Sequence, residues 1–359
     1  MLNLFKLFLS LLIIFLYFNS YSFAEFSYYG SINPAKHYKN LKTRSYNDKI
    51  GKKDLWIDNS INLDVFDFKI NHQRKVLPDD YFNRKTCDAP NKKHIDKVAN
   101  GKLPRSLKEL YSEPLMVVGK GYDKKKVLSG APDGARKETQ ILRKWLTTYV
   151  CESENLDFKK SLAKEIKFFL LKWAKAEAFM KTRKNNSDTY CCIQDGVLNM
   201  NYNMSDFLTA YLVVTRDFPD DPNNEKIIID WVKKYMKKYG NRHFKKDSVG
   251  QFFNQHAILR DYLNLKIAIL TNDNKLFALA AKRALIFLAQ STPEGVYPYT
   301  AVRGQKATFY NHEAMNDYTH LLEVLRAQDY DLYNFELAGR SYLKNAEFLM
   351  GVWENYDCA

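Results

Sequence analysis

Two polar clusters in the second half of the chain hold the side chains best suited to chemistry. One is Phe253-Asn254-Gln255-His256, at the head of a run with helical periodicity. The other is Val302-Arg303-Gly304-Gln305-Lys306-Ala307-Thr308-Phe309-Tyr310-Asn311-His312, which joins two such runs. Taken singly, each has a plain structural reading. A histidine at a helix start is a cap, a tyrosine beside phenylalanine is core, and an arginine before glycine is a surface donor. Together they form a set for β-elimination on a uronic acid. The proton removed there, at C5, is alpha to a carboxylate that resists becoming a dianion. An amide and an imidazole must therefore hydrogen-bond that carboxylate, and losing one such donor typically costs about 100- to 1000-fold in rate. A base takes the C5 proton and an acid protonates the leaving O4. A tyrosine, with a pKa of about 10 when unperturbed, serves in either role when a nearby cation such as an arginine lowers it.

The elements that must position these groups are helices. From about residue 136 the apolar residues recur at three- and four-residue steps: Leu162, Ile166, Phe169, Leu170, Trp173, Ala176 and Met180 make one stripe. Further helices are expected over 205–217, around Ile228 to Met236 ending at Gly240, over Leu259 to Leu270, over Leu276 to Leu288, and from Met315 to about residue 327. Short polar turns between them make neighbours antiparallel, so the fold class is all-α, built of helical hairpins in a ring or a stack. Periodicity does not choose between the two. Residues 25–100 are polar and rich in Tyr and Lys, and read as irregular or short helical structure wrapped on a later core. Residues 112–135 hold Pro114, Gly119, Gly121, Gly130, Pro132 and Gly134 around Lys124-Lys125-Lys126, the composition of a long basic loop, lid-like or simply surface.

With 359 residues, 46% of them hydrophobic and 14% aromatic, the chain is neither disordered nor of low complexity, and 10 Pro with 14 Gly exclude a collagen-like class. A net charge of +14 points to an acidic partner: nucleic acid, anionic lipid or an anionic sugar polymer. Residues 1–24 favour the last. Met1–Lys6 is a positive end, Leu7–Phe18 an apolar run, and Ser22-Phe23-Ala24 a small-x-small cleavage pattern, the anatomy of a secretory signal peptide. The run is shorter than the roughly 20 residues that span a bilayer. The reading is therefore a periplasmic or secreted protein with no nucleic-acid partner and no membrane insertion after cleavage. In an oxidising compartment Cys87 and Cys151 are candidates for a disulfide. Cys191, Cys192 and Cys358 leave at least one thiol without an intramolecular partner, and the spacings match no zinc site.

At these residues the chain resembles the exported alginate lyases that cleave poly-mannuronate, an α/α-toroid family of polysaccharide lyases. Asn254-Gln255-His256 resembles the family's Asn-Asn-His motif, and Arg303 through Tyr310 resembles its Arg-Gly turn ending in a tyrosine. His256 precedes Tyr310 by 54 residues and Arg303 precedes it by seven, spacings similar to the family's. Trp173-Ala174-Lys175-Ala176 is similar to a segment of the same enzymes, and Cys87 with Cys151 to their N-terminal cysteine pair. The resemblance covers roughly residues 80–335. It implies an incomplete toroid over residues 136–359, sharing its core with an irregular N-terminal region, 25–135. It implies Tyr310 as the proton-transfer residue, His256 and Gln255 on the carboxylate, and Arg303 lowering the Tyr310 pKa or holding the sugar. Asn254, His312 and Lys306 are candidates for substrate binding, and no metal or other cofactor is required. Mannuronate and glucuronate place the C5 proton and O4 on one face, so one tyrosine acts first as base and then as acid. Guluronate would need groups on two faces, with His256 as the natural base. Gln255 stands where the family has Asn, Ala257-Ile258 replaces its Tyr-Trp, and Asn311-His312 reverses its His-Asn order. These departures leave the uronic acid open.

The expected function is thus a lyase acting on an acidic polysaccharide. One alternative is an exported polysaccharide-binding protein without turnover. Another is a helical glycoside hydrolase, which needs two carboxyl groups at a set separation, with Glu294, Glu313 and Asp317 as the candidates near the motifs.

Overall fold

A computed structural model describes residues 65–81, 87, 117–118, 134–151, 155–179, 181–182, 191–239, 255–297, 300 and 307–354. Its order is β1 (Val117–Val118), α1 (Gly134–Cys151), α2 (Leu156–Lys175), β2 (Lys181–Thr182), α3 (Cys191–Asp217), α4 (Pro222–Tyr239), α5 (Gln255–Thr271), α6 (Asn274–Ala289), α7 (Ala307–Arg326), β3 (Glu336–Leu337), β4 (Arg340–Ser341) and α8 (Tyr342–Glu354). β1 pairs in parallel with β2, and β3 with β4 as a short antiparallel ladder. Residues 1–24 and most of 112–135, read above as leader and basic loop, lie outside the described residues.

Local chemistry starts these helices where the turns end. Asn155 caps α2 by accepting from the Phe158 amide, and Asp273 caps α6 by accepting from Leu276. α4 opens with Pro222 in its first turn, where a missing N–H costs nothing, and Asp221 accepts from the amides of Asn223 and Asn224. Of the stripe read in α2, Leu162, Ile166, Phe169, Leu170 and Trp173 face the core, while the helix ends at Lys175, Ala176 is its half-buried C-cap, and Met180 lies outside the described residues. In that core Trp173, Phe207, Phe179 and Trp231 pack ring against ring at 4.9–6.2 Å, and the Trp231 indole N–H donates to the Ala178 carbonyl at 2.7 Å.

Side-chain rungs fix the directions. Thr139 meets Asn203, Arg143 meets Asp206 and Tyr149 meets Asp217, so α1 and α3 run the same way. Asp261 meets Arg283 and Asp273 meets Ala268, so α5 and α6 run oppositely. Ala284 meets Tyr318 and Phe277 meets Tyr330, so α6 and α7 do as well. Hence α5 is parallel to α7. Helices α1, α3, α5 and α7 form an inner arc in which each packs on the next, with α2, α4, α6 and α8 against its outside. The all-α class and the toroid are what the structure shows; the choice between ring and stack, open to periodicity, falls to the ring.

Residues 65–81 run as a strap across one end of this arc. Gln328, fully buried just past α7, holds it: its Oε1 accepts from the amides of Asn71 and His72, and its Nε2 donates to the carbonyls of His72 and Lys75. Ion pairs tie the strap to α3 (Asp79 with Arg216), α4 (Arg74 with Glu225) and α7 (Asp80 with Arg326). These contacts put the ends of α3 and α7 and the starts of α4 and α6 at the strap end. The starts of α3, α5 and α7 therefore stand together at the opposite end. Phe68 and Val76 enter the common core. Cys87 and Cys151 are bonded, with Cα atoms 5.3 Å apart. On the outside, Gly295 has φ +94°, and a Cβ there would lie 2.1 Å from the Lys344 carbonyl oxygen, so α8 docks directly on that turn.

Candidate functional site

The inner helices surround a cavity of about 590 Å³. Leu142, Arg143, Leu146 and Thr147 of α1, Tyr202, Ser205, Asp206 and Thr209 of α3, and Tyr262 of α5 line it. His312, Glu313, Asn316 and His320 come from α7, while Leu77 and Tyr81 of the strap form its floor. A helical face repeats every three or four residues, and the spacings within α3 and α7 show each helix turning one continuous face inward.

The wall and the groups packed behind it are polar, and burial shifts several of them toward their uncharged forms. Asp317, fully buried behind Glu313, accepts from the Tyr202 hydroxyl at 3.0 and 2.9 Å. Burial pushes its carboxyl up to about 8, helped by the nearby Glu313 charge and opposed by the Tyr202 hydrogen bond. His320 is lowered to about 4 by burial and by the positive charges of Lys266 and Arg143; its ring stacks on Tyr262 at 5.7 Å. Lys266, fully buried, donates to the Ser205 hydroxyl at 2.7 Å and sits 3.5 Å from the Tyr262 ring centre. Burial drives it well below its ordinary value, against the pull of Asp206. Asp206 is raised by burial although Arg143, 2.7 Å away, works the other way. Such a wall suits a polyhydroxylated ligand: hydroxyl, amide and imidazole groups alternate with tyrosine rings.

The mouth lies opposite the strap. Gln255 and His256 occupy the first turn of α5, and Tyr310 and His312 the first two turns of α7. The Tyr262–His320 stack fixes the relative height. His256 stands six residues, about 9 Å, above that level along α5, and Tyr310 ten residues, about 15 Å, above it along α7. The offset of about 6 Å is within the span of a tyrosine side chain, so the two motifs share one end of adjacent parallel helices. Tyr310 is half-buried, and its ring meets that of Phe309 at 5.4 Å, near perpendicular. His312 is exposed at the cavity edge. Asn254, Arg303 and Lys306, and the side chains of Gln255 and His256, lie outside the described residues.

The sequence reads 302–312 as a connection between helices, whereas Ala307–His312 is already helix. The periodic signal is weak there because the inward face carries Phe309, His312, Glu313 and Asn316 in place of aliphatic residues. Asn311, on another face, is buried and accepts from the Thr300 hydroxyl at 3.1 Å. The cavity residues Arg143, Tyr202, Asp206, Tyr262 and His320 were not singled out. Each is a lone polar or aromatic group in an apolar stripe, and only their convergence from four helices marks them. Of the carboxyl groups weighed for hydrolysis, Glu313 reaches the cavity and Asp317 does not. Among the described residues, no three His, Cys, Asp or Glu side chains are grouped to hold a metal ion, and no helix is long and apolar enough to cross a membrane.

A one-ended ring of helical hairpins around a polar lumen, with phenol and imidazole groups at its mouth, has the form of a helical-toroid polysaccharide lyase. The chain belongs to the alginate lyase family, whose model matches residues 82–355. Similar solved structures cover 74% of this chain. They include alginate lyase A1-III in a histidine-to-alanine variant complexed with tetrasaccharide (17% identity, TM-score 0.55, 76% of that chain). A tyrosine-to-phenylalanine variant, also complexed with tetrasaccharide, shows 18% identity, TM-score 0.55 and 76% of that chain. Alginate lyase A1-III from Sphingomonas species A1 shows 16% identity, TM-score 0.54 and 77% of that chain. Comparison with curated proteins gives no match.

Proposed function

We propose that this chain cleaves an anionic uronan, a mannuronate-type alginate or a close relative, by β-elimination. The observation that carries the reading is the placement of the α5 and α7 first turns, bearing His256 and Tyr310, side by side at the mouth of the lumen. Gln255 and His256 hydrogen-bond the carboxylate of the sugar bearing the scissile O4. Tyr310 takes the C5 proton, acting as a phenolate base, while Arg303 holds the sugar. The C5–H electron pair forms the C4=C5 double bond as the C4–O4 bond breaks, and the Tyr310 proton passes to O4. Asn254, Lys306 and His312 hold the neighbouring sugars. Protein groups supply every step, so exhaustive chelation should leave turnover unchanged. Export by cleavage after Ala24, to the periplasm or exterior, belongs to the same proposal.

The test is incubation with poly-mannuronate, poly-guluronate and glucuronan, following the ultraviolet absorbance of the unsaturated product. Tyr310→Phe should lower kcat by about 100-fold or more and keep binding of the polymer. New reducing ends without the chromophore would show hydrolysis, and binding without either signal would show a non-catalytic receptor; both refute the reading. So would a Tyr310→Phe variant of full activity.

A further inference from the structure

Phe309 carries the next step. It is a large apolar side chain left 58% exposed in the first turn of α7. Its position is not arbitrary. Residues 313, 316 and 320 follow it at four, seven and eleven residues, the spacing of one helical face, and all three line the lumen. Phe309 is therefore the outermost member of the inward-facing stripe, one turn above His312 and Glu313, at the rim of the mouth. Its ring also meets the Tyr310 ring at 5.4 Å and 76°, which holds it at a set angle to the proton-transfer residue.

A pyranose offers such a ring a matching surface. In the chair of β-linked mannuronate or glucuronate, the axial hydrogens of C1, C3 and C5 share one face, while the carboxylate lies at the ring's edge. An aromatic platform covers those C–H groups without taking the charge out of water. We propose that Phe309 is the stacking platform for the uronate ring whose C1 carries the scissile oxygen, a positioning residue that leaves the C5–H of the next ring open to Tyr310. This deepens the lyase reading and rests on it for the role of Tyr310.

The inference predicts a split between binding and chemistry. Phe309→Ala should raise KM about tenfold, the loss expected when about 60 Å² of apolar contact returns to water, with kcat within about twofold because uniform binding is lost. Phe309→Tyr should restore KM. Substitution at an exposed site leaves stability nearly unchanged, so thermal melting should not shift. An unchanged KM, or a fall in kcat alone, would overturn the platform. A second measurement does not need turnover: Phe309→Trp in a Tyr310→Phe background, titrated with mannuronate tetrasaccharide while tryptophan fluorescence is followed against the Tyr310→Phe parent. A saturable change absent from the parent supports stacking; no change with mannuronate, guluronate or glucuronate oligomers overturns it. If the wild-type protein cleaves no uronan while the fluorescence titrates, the elimination reading fails and the sugar platform stands.

Discussion

Asp317 offers the sharpest test of the lumen's electrostatics. Its carboxyl is fully buried between α3 and α7, and burial raises it from 3.8 to about 8. A carboxyl raised on folding binds its proton more tightly in the native state. Its contribution is complete below about pH 4 and is lost as pH climbs toward 8. At about 1.4 kcal/mol per unit, a rise of about four units sets an upper limit on the order of 5 kcal/mol; relaxation around a buried ion reduces this to about 3 kcal/mol. Asp317→Asn keeps the size and still accepts from the Tyr202 hydroxyl, but has no proton to lose. Urea unfolding at half-unit steps from pH 4.5 to 8.5 should give a wild-type curve that falls relative to the variant's across this window. By pH 8.5 the variant should be more stable by about 3 kcal/mol. Asp206, His320 and Lys266 also titrate out of place, and they are common to both proteins, so the difference curve isolates Asp317. Parallel curves would refute the reasoning.

Two further outcomes are expected. Asp261, buried, accepts from Arg283 at 2.7 Å and stands 3.4 Å from Arg260; Asp261→Ala leaves two buried guanidinium groups without their shared anion and should cost about 3–5 kcal/mol by urea unfolding, while near-wild-type stability would show the cluster is not energetically coupled. Gln328→Leu removes the side-chain hydrogen bonds to Asn71, His72 and Lys75, and limited proteolysis should then cut within residues 65–81 much faster while the helical circular dichroism stays; equal cleavage rates would mean that the ion pairs and the Tyr330 and Asn274 contacts suffice.

How much of this was readable in the sequence depends on where the apolar stripe was intact. α2, α4, α5 and α6 present aliphatic and aromatic faces, and their periodicity places the ends of α5 and α6 within about four residues and those of α2 and α4 within about six. α3 was read only from residue 205, yet it begins at Cys191. Its first half holds Asn199, Asn201, Asn203 and Gly196, and the buried pairs Asn203–Thr139 and Asn201–Tyr235 use polar groups where a period reading looks for apolar ones. α8 is absent from the sequence reading for a different reason: its 13 residues give only about three and a half turns, and its seat depends on Gly295 and on Asn345 donating to the Gly295 carbonyl. The clusters 253–256 and 302–312 stand out in the sequence as polar breaks in the apolar period, and the resemblance supplies the roles of their residues.

The shared direction of the inner helices has one more effect. Each α-helix behaves as though about half a positive charge sat at its N-terminus, and α3, α5 and α7 all start at the mouth. A polyanion is thus met there by fixed backbone dipoles as well as by side chains. The +14 formal charge of the chain steers at long range and fades with salt, since the Debye length is only about 8 Å at physiological ionic strength. The helix ends act at contact and are screened far less. Rising salt should therefore slow the capture of a chain well before it loosens one already seated.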